Sequence, residues 1–375
     1  MKRAFSLLAT LLLTVSSFAT TKVVTVDGLK YSADAESKTA RLVGNDYSGY
    51  ITVPASFTDD GVTYRVTSIS DECFQFCTGL TGVTLPSSVT QLGDYCFRNC
   101  TGLTSITLPD TVTSLGLGCF SGCSGLTHLT LPSSVTQLGY NCFESCTGLT
   151  SIVLPASITQ LSGACFRGCT SLNDISIPAS VTSIGDECFY NCTRLKGITL
   201  SSSLTTLGMS CFEGCSDLTS ITIPAPVISI GLYCFRGCSS LTSMTCLAQT
   251  PPSVTGSAWT GGTTSAFEGL NTSACTLYVP DVTAYKAAEG WKDFKYIYKI
   301  TTGISLAKTR HVVVAVQGGI VRLSGLSDGE PVQFYSPDGQ LLGSQRALSG
   351  TAVLSTSAPL VVCKVGDTSL KVRVK

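Results

Sequence analysis

The chain has 375 residues, of which 43% are hydrophobic and only 13% charged, about half the roughly 25% charged share usual in soluble domains. Basic and acidic residues balance at 24 each, which leaves no global field to hold nucleic acid. With so much apolar sequence and no net charge, disorder is excluded as well. Two histidines, His128 and His311, leave little for imidazole catalysis or zinc chemistry, so the 19 cysteines are the unusual feature.

Residues 1–19 combine a basic start (Lys2, Arg3), an apolar stretch (Ala4–Val15) and a small-x-small site at Ser17-Phe18-Ala19. This is the pattern of a secretory signal peptide, and the apolar run is too short for a membrane anchor. No later stretch has that character, so the remainder is expected to carry no transmembrane helix. Residues 20–68 read as an N-terminal cap, in which Tyr50–Val53 and Val66–Ile69 imitate the extended segments of the units that follow.

From Ile69 the sequence repeats. Cysteines recur every 23 residues at 73, 96, 119, 142, 165, 188, 211 and 234, and a second series follows four residues behind, from Cys77 to Cys238. Eight copies span residues 69–252. Within one unit, Cys96, Phe97, Cys100 and Leu103 fall at i, i+1, i+4 and i+7, which predicts a short helical turn. Leu103, Ile106 and Leu108 then alternate as in a short strand, ended by Pro109, and Val112 and Leu115 mark a second extended segment. One such unit can neither pair its strand nor cover its apolar edge. Stacked units do both, so the prediction is a solenoid of 23-residue leucine-rich repeats, about 40 Å long at ~4.8 Å per coil.

The unit C-F-x-x-C-x-x-L-T-S-I-T-L-P-x-S-V-T-x-L-G resembles the BspA-like leucine-rich repeat family, with Cys where that family usually has Ala before Phe. The resemblance implies a right-handed solenoid, a secreted or surface-displayed bacterial protein, and a binding or adhesion role without catalytic residues. Residues 253–302 then read as a C-terminal cap, closed by Trp291, Phe294 and Ile297, with Asp281 as the N-cap of a short helix. Residues 303–375 change to strand-like segments with turn signals at Asp328-Gly329 and Asp338-Gly339, read as a small β-sandwich. Their ending, Lys364-Val365-Gly366 through Lys371–Lys375, resembles the type nine secretion sorting domain, although Ala358-Pro359-Leu360 replaces the usual Gly-x-Tyr.

Four features could carry function. The cysteines could form disulfides or hold a metal, but stacked coils give parallel Cβ vectors ~4.8 Å apart, unlike the inclined ~3.8 Å approach of a disulfide, which favours an inert ladder of free thiols. The strand flanks are Thr and Ser in two rows, one including Thr104, Thr127 and Thr150 and the other Thr107 and Thr130. They read either as a hydroxyl face for a ligand or as β-branched residues that keep a strand soluble. His128, Asn173-Asp174 and Lys196 interrupt those rows and mark a possible contact, and Trp259 either stacks on a ligand or folds under the cap. No phosphate loop, nucleophile elbow or H-E-x-x-H is present, so no enzyme, cofactor or metal is expected. The expected partner is an extracellular protein or glycan rather than nucleic acid, with a structural spacer as the alternative.

Overall fold

A computed structural model describes residues 21–44, 46–257, 263–300, 313–317, 320–324, 326, 328–336, 340–348, 351–358, 360–365 and 368–373. The expected signal peptide at 1–19 lies outside them, as do Trp259 and His311. The chain divides into two units, Met1–Lys299 and Ile300–Lys375.

The first unit is a β-solenoid of about 11 turns, with repeats about 23 residues apart. In each coil a three- to five-residue strand forms one side. Leu80–Thr84 pairs in parallel with Ser105–Thr107, His128–Thr130 with Ser151–Val153, and Asp174–Ser176 with Gly197–Thr199. Pro109 turns the chain, with the Val112 amide bonded to its carbonyl at 3.0 Å, and the two-residue strand Ser114–Leu115 forms the second side. That short strand lies between Gln91–Leu92 and Gln137–Leu138 in parallel register.

The third side is not the helical turn that the apolar spacing predicts. Among the described residues the only helices are Val282–Ala287 and the 3-10 turn Trp291–Asp293, both beyond the repeats. In the segment around Phe97, alternate amides bond in different directions. Tyr95, Phe97 and Asn99 donate to Leu117, Cys119 and Ser121 of the next coil at 2.6–2.7 Å, while Arg98 and Cys100 donate three residues back at 3.0 and 3.1 Å. Tyr95 and Asn99 reach this arrangement with left-handed φ values of 54° and 59°. The i, i+4, i+7 spacing fits a helix and this alternating turn equally well, because both return to the same face every four residues.

The core inside the coils is a stack of side chains. Phe74, Phe97, Phe120, Phe143, Phe166, Phe189, Phe212, Phe235 and Phe267 lie ring over ring, 4.8–6.0 Å apart and within 13° of parallel. Tyr47 covers one end at 5.2 Å. Trp291 and Phe294 meet Phe267 edge-on at 4.8 and 4.9 Å at the other. Trp291 is fully buried and donates its indole N–H to Pro252 O at 2.8 Å.

N-terminal to the repeats, Thr21–Val26, Leu29–Asp34 and Thr39–Val43 form an antiparallel meander. Its last strand pairs in parallel with Val62–Ile69, which carries the sheet on to Gln91–Leu92. At the other end Thr276–Val279 and Tyr296–Lys299 extend the strand side beyond Ser243–Cys246. Between them Asp281 caps Val282–Ala287, accepting from the Thr283 and Ala284 amides at 2.9 and 3.1 Å. In the second unit, a three-stranded and a four-stranded antiparallel sheet both contribute to one buried cluster that includes Val321, Leu323, Phe334 and Cys363.

Coil spacing leaves no room for a side chain at several glycines, Gly139 among them. A Cβ on Gly139 would lie 2.4 Å from the Gly116 carbonyl oxygen of the preceding coil. Ser162 occupies the corresponding place one coil on. There its hydroxyl, not its amide, bonds to Leu138 O at 2.7 Å, and the short-strand ladder breaks between Gln137–Leu138 and Gln160–Leu161. Gly139→Ala is therefore expected to destabilise by about 1–3 kcal/mol through overpacking, and Phe166→Ala by about 3–5 kcal/mol through the cavity it leaves. Urea unfolding followed by circular dichroism checks both; a Gly139→Ala midpoint equal to that of the parent would show that the coils can slide apart.

Candidate functional site

The strand side presents the hydroxyl rows, and the structure separates them. In the first row Thr104, Thr150 and Thr242 spend their hydroxyls on the solenoid itself, donating to Thr81 O, Thr127 O and Thr219 O at 3.3, 3.0 and 3.4 Å. The second row is linked by strand register: Thr52, Thr84 and Thr107, then Thr130 beside Val153, Ser176 beside Thr199, and Thr222 beside Thr245. Thr107, Thr130, Thr199 and Thr222 are exposed, and none has a side-chain hydrogen bond among the described residues.

His128 is fixed between two coils. Its Nδ1 lies 3.1 Å from Thr127 Oγ1 and its Nε2 lies 3.1 Å from Thr150 Oγ1. Because the Thr150 hydroxyl already donates to Thr127 O, it must accept from Nε2–H, which leaves Nδ1 to accept from Thr127 in the neutral ring. The strand ladder is interrupted beside this histidine, between Ser105–Thr107 and His128–Thr130. A shallow groove of about 370 Å³ opens there, with Ser105, Thr107, Asp110, His128 and Thr130 among its walls. Asp110 is the member that the sequence did not single out. It follows the strand-ending proline, outside the strand periodicity, and only the three-dimensional turn carries it to the groove.

The remaining candidates do not join this groove. Asp174 lies two coils beyond His128 in the same outward row, paired with Gly197, and the Lys196 amide bonds to Asn173 O at 3.2 Å. Asp174 and Lys196 are both exposed and form no ion pair among the described residues. Trp259 falls outside the described residues. A second groove of about 320 Å³ lies on the short-strand side, where Tyr140, Gln160 and Asp186 surround the break made by Ser162. On the third side, charges pair from coil to coil: Arg167 reaches Glu187 at 2.9 Å and Glu144 at 3.9 Å.

The cysteines belong to the interior. All 19 are free and buried. In the second series seven of the eight thiols, all but Cys77, donate to the carbonyl of a phenylalanine 26 residues earlier, from Cys100 to Phe74 O at 2.8 Å through Cys238 to Phe212 O at 3.1 Å. That carbonyl already accepts an amide of its own coil, as Phe74 O does from Cys77 at 3.0 Å. The thiol therefore takes up the second lone pair. Burial pushes Cys146 up to about 12, and Cys275 and Cys363 to about 11. Cys165, Cys188 and Cys192 are raised well above the ordinary thiol value by the same desolvation. Among the described residues no three cysteine, histidine or acidic side chains cluster as metal ligands.

The fold defined by these coils is a leucine-rich repeat solenoid. The family model for the BspA type leucine rich repeat region matches residues 56–173 and 159–257, in six copies, and the chain belongs to this family. A crystal structure of a leucine-rich repeat protein from Bacteroides ovatus is similar at 25% identity and a TM-score of 0.54, covering 74% of this chain and 76% of that one. The T. pallidum leucine rich repeat protein is 25% identical, covers 59% of this chain and 91% of its own, and has a TM-score of 0.40. A leucine rich cell surface protein from Faecalibacterium prausnitzii is 22% identical, covers 73% and 97%, and has a TM-score of 0.31. A search of curated proteins finds no match.

The thiol ladder makes a measurable pH dependence. A thiol held protonated by burial ionises near pH 8.5 once unfolded, so its contribution to stability is whole below that value and is lost as pH rises toward the folded-state value. The loss amounts to about 1.4 kcal/mol per pH unit for each thiol so raised. Melting temperature is expected to fall steeply above about pH 9, and denatured, unreduced protein should titrate for nearly all 19 thiols. A count of three or fewer, or a melting temperature level to pH 11, would show that the ladder is not made of buried free thiols.

Proposed function

We propose that this chain is a non-catalytic binding module, secreted or held at a bacterial cell surface, whose strand side engages an extracellular protein or glycan. The observation that carries this reading is the groove at the ladder break. It brings Thr107, Thr130, Asp110 and a rigidly held His128 together on the hydroxyl face. The histidine supports binding rather than catalysis, since both ring nitrogens are occupied by threonine hydroxyls. Surface location is supported by the leader pattern at residues 1–19 and by membership of the family. No helix among the described residues is long and apolar enough to cross a membrane. Residues 303–375 are read as a β-sandwich serving export or display, on the strength of their ending and of the terminal hairpin Leu360–Val365 with Thr368–Arg373.

A spacer role is the second reading, favoured by Thr104, Thr150 and Thr242, whose hydroxyls hold coils together. Under the binding reading, hydrogen bonds dominate over charge on this face, so affinity should change little with salt. The test is a screen of the purified protein against arrayed matrix proteins and glycans, repeated with Thr107→Arg and Thr130→Arg. A saturable hit weakened tenfold or more by either variant is expected. A folded protein with no hit, or one whose hits ignore both variants, would leave the spacer.

A further inference from the structure

The strand side ends in a surface unlike the rest of it. Four strands close the solenoid in parallel: Ser220–Ile223, Ser243–Cys246, Thr276–Val279 and Tyr296–Lys299. Their inward residues, among them Met244, Leu277 and Ile297, are buried. Register places Thr222, Thr245, Tyr278 and Tyr298 in one outward row, and Ser220, Ser243, Thr276 and Tyr296 in the other. The hydroxyl rows thus run directly into three tyrosines that are 38%, 40% and 52% exposed at Tyr278, Tyr296 and Tyr298. Ring centroids of Tyr278 and Tyr298 lie 6.2 Å apart, tilted by 36°.

None of these rings is needed to close the core, which Trp291 and Phe294 already do. Two cations stand at the edge. Lys295 Nζ lies 5.2 Å from the Tyr296 ring centroid, and Lys299 ends the last strand beside Val279. Both are exposed and without an ion pair among the described residues, whereas neighbouring Lys292 is paired with Glu289 at 2.7 Å. The nearby Asp281 carboxylate is committed to capping the helix.

We propose that this tyrosine platform is a binding site for an acidic polysaccharide, a polymer of uronic acid rings. Flat aromatic faces with polar tips stack on the C–H face of a sugar ring and keep their hydroxyls in water. Strand spacing of ~4.8 Å puts successive rows about one sugar ring apart along a polymer, so a chain lying across the strands meets Tyr298, Tyr278 and then the hydroxyls of Thr245 and Thr222. Lys295, held over the Tyr296 ring, supplies the charge complementarity for its carboxylates. The platform lies at the far end of the strand side from the His128 groove, and the two sites stand or fall separately.

The experiment measures binding of polygalacturonate, and of the same polymer fully methyl-esterified, to the purified protein by isothermal titration calorimetry. Polygalacturonate is expected to bind with an affinity that falls as salt rises, and the ester at least tenfold more weakly. Tyr298→Ala and Tyr278→Ala should each cost tenfold or more at unchanged melting temperature, with Tyr298→Phe close to the parent. Lys295→Gln should reduce polygalacturonate toward the affinity of the ester and flatten its salt dependence, whereas Lys299→Gln, in register with the inward Val279, should change both far less. Thr107→Arg should leave all of this unchanged. Absence of binding, equal binding of acid and ester, or alanine variants that bind like the parent would overturn the platform, as would loss of binding in Thr107→Arg.

Discussion

Each coil of this solenoid is hydrogen-bonded only when the next coil is present. Amides on the turn side alternate between an acceptor three residues back and one on the following coil, so half of them depend on a neighbour. A buried amide without an acceptor costs roughly 1–3 kcal/mol, and three such amides per turn explain why no isolated unit could persist. The same dependence fixes the spacing. Coils must approach closely enough for 2.6–2.7 Å bonds such as Tyr95 to Leu117, and that approach leaves no space for a Cβ at Gly139. It also sets the phenylalanine rings 4.8–6.0 Å apart, near the distance at which aromatic faces stack with offset.

The cysteines answer to this spacing as well. A phenylalanine carbonyl bonded to the amide of its own coil has a second lone pair directed at the coil that follows. A thiol there reaches it at about 3.1 Å, fills the space as a small hydrophobe, and has a lower desolvation cost than a hydroxyl. The stack ends by changing residue type, not by stopping. Tyr47 covers Phe74, and its amide donates to Cys77 Sγ at 3.3 Å, while Trp291 and Phe294 turn edge-on to Phe267.

Much of this was legible in the sequence. The 23-residue period fixed the repeat, the strand segments around Ile106 and Leu115 and the burial of both cysteine series, because each depends only on spacing. The turn was misread, since Cys96, Phe97, Cys100 and Leu103 share one face in a helix and in the alternating turn alike. Left-handed φ at Tyr95 and Asn99 distinguishes the two, and the Gly or Asn recurring at the second of these positions (Asn99, Gly122, Gly168, Asn191, Gly214, Gly237) was the sequence signal for it. The groove was half visible: His128 stood out as a break in a threonine row, whereas Asp110 belongs to a turn outside that row. The tyrosine platform was not visible, because Tyr278, Tyr296 and Tyr298 occupy cap strands at irregular spacing and only the parallel register shows that they share a face.

A periodic surface offers every ligand the same chemistry at each coil, which serves avidity but gives no point of discrimination. Specificity on such a scaffold has to come from places where the period fails. Among such places on the strand side, two differ in chemistry from the hydroxyl rows. One is a ladder break that gathers an acid, an imidazole and two hydroxyls into one groove. The other is a terminal sheet where threonine gives way to tyrosine with lysines at the edge. Hydroxyl rows, interrupted at Val153 and Asp174, run between them, partly committed to holding coils together. A long polymer is a form of ligand that can use both a local contact and a regular track, because its own repeat lets it stay in register with the coils.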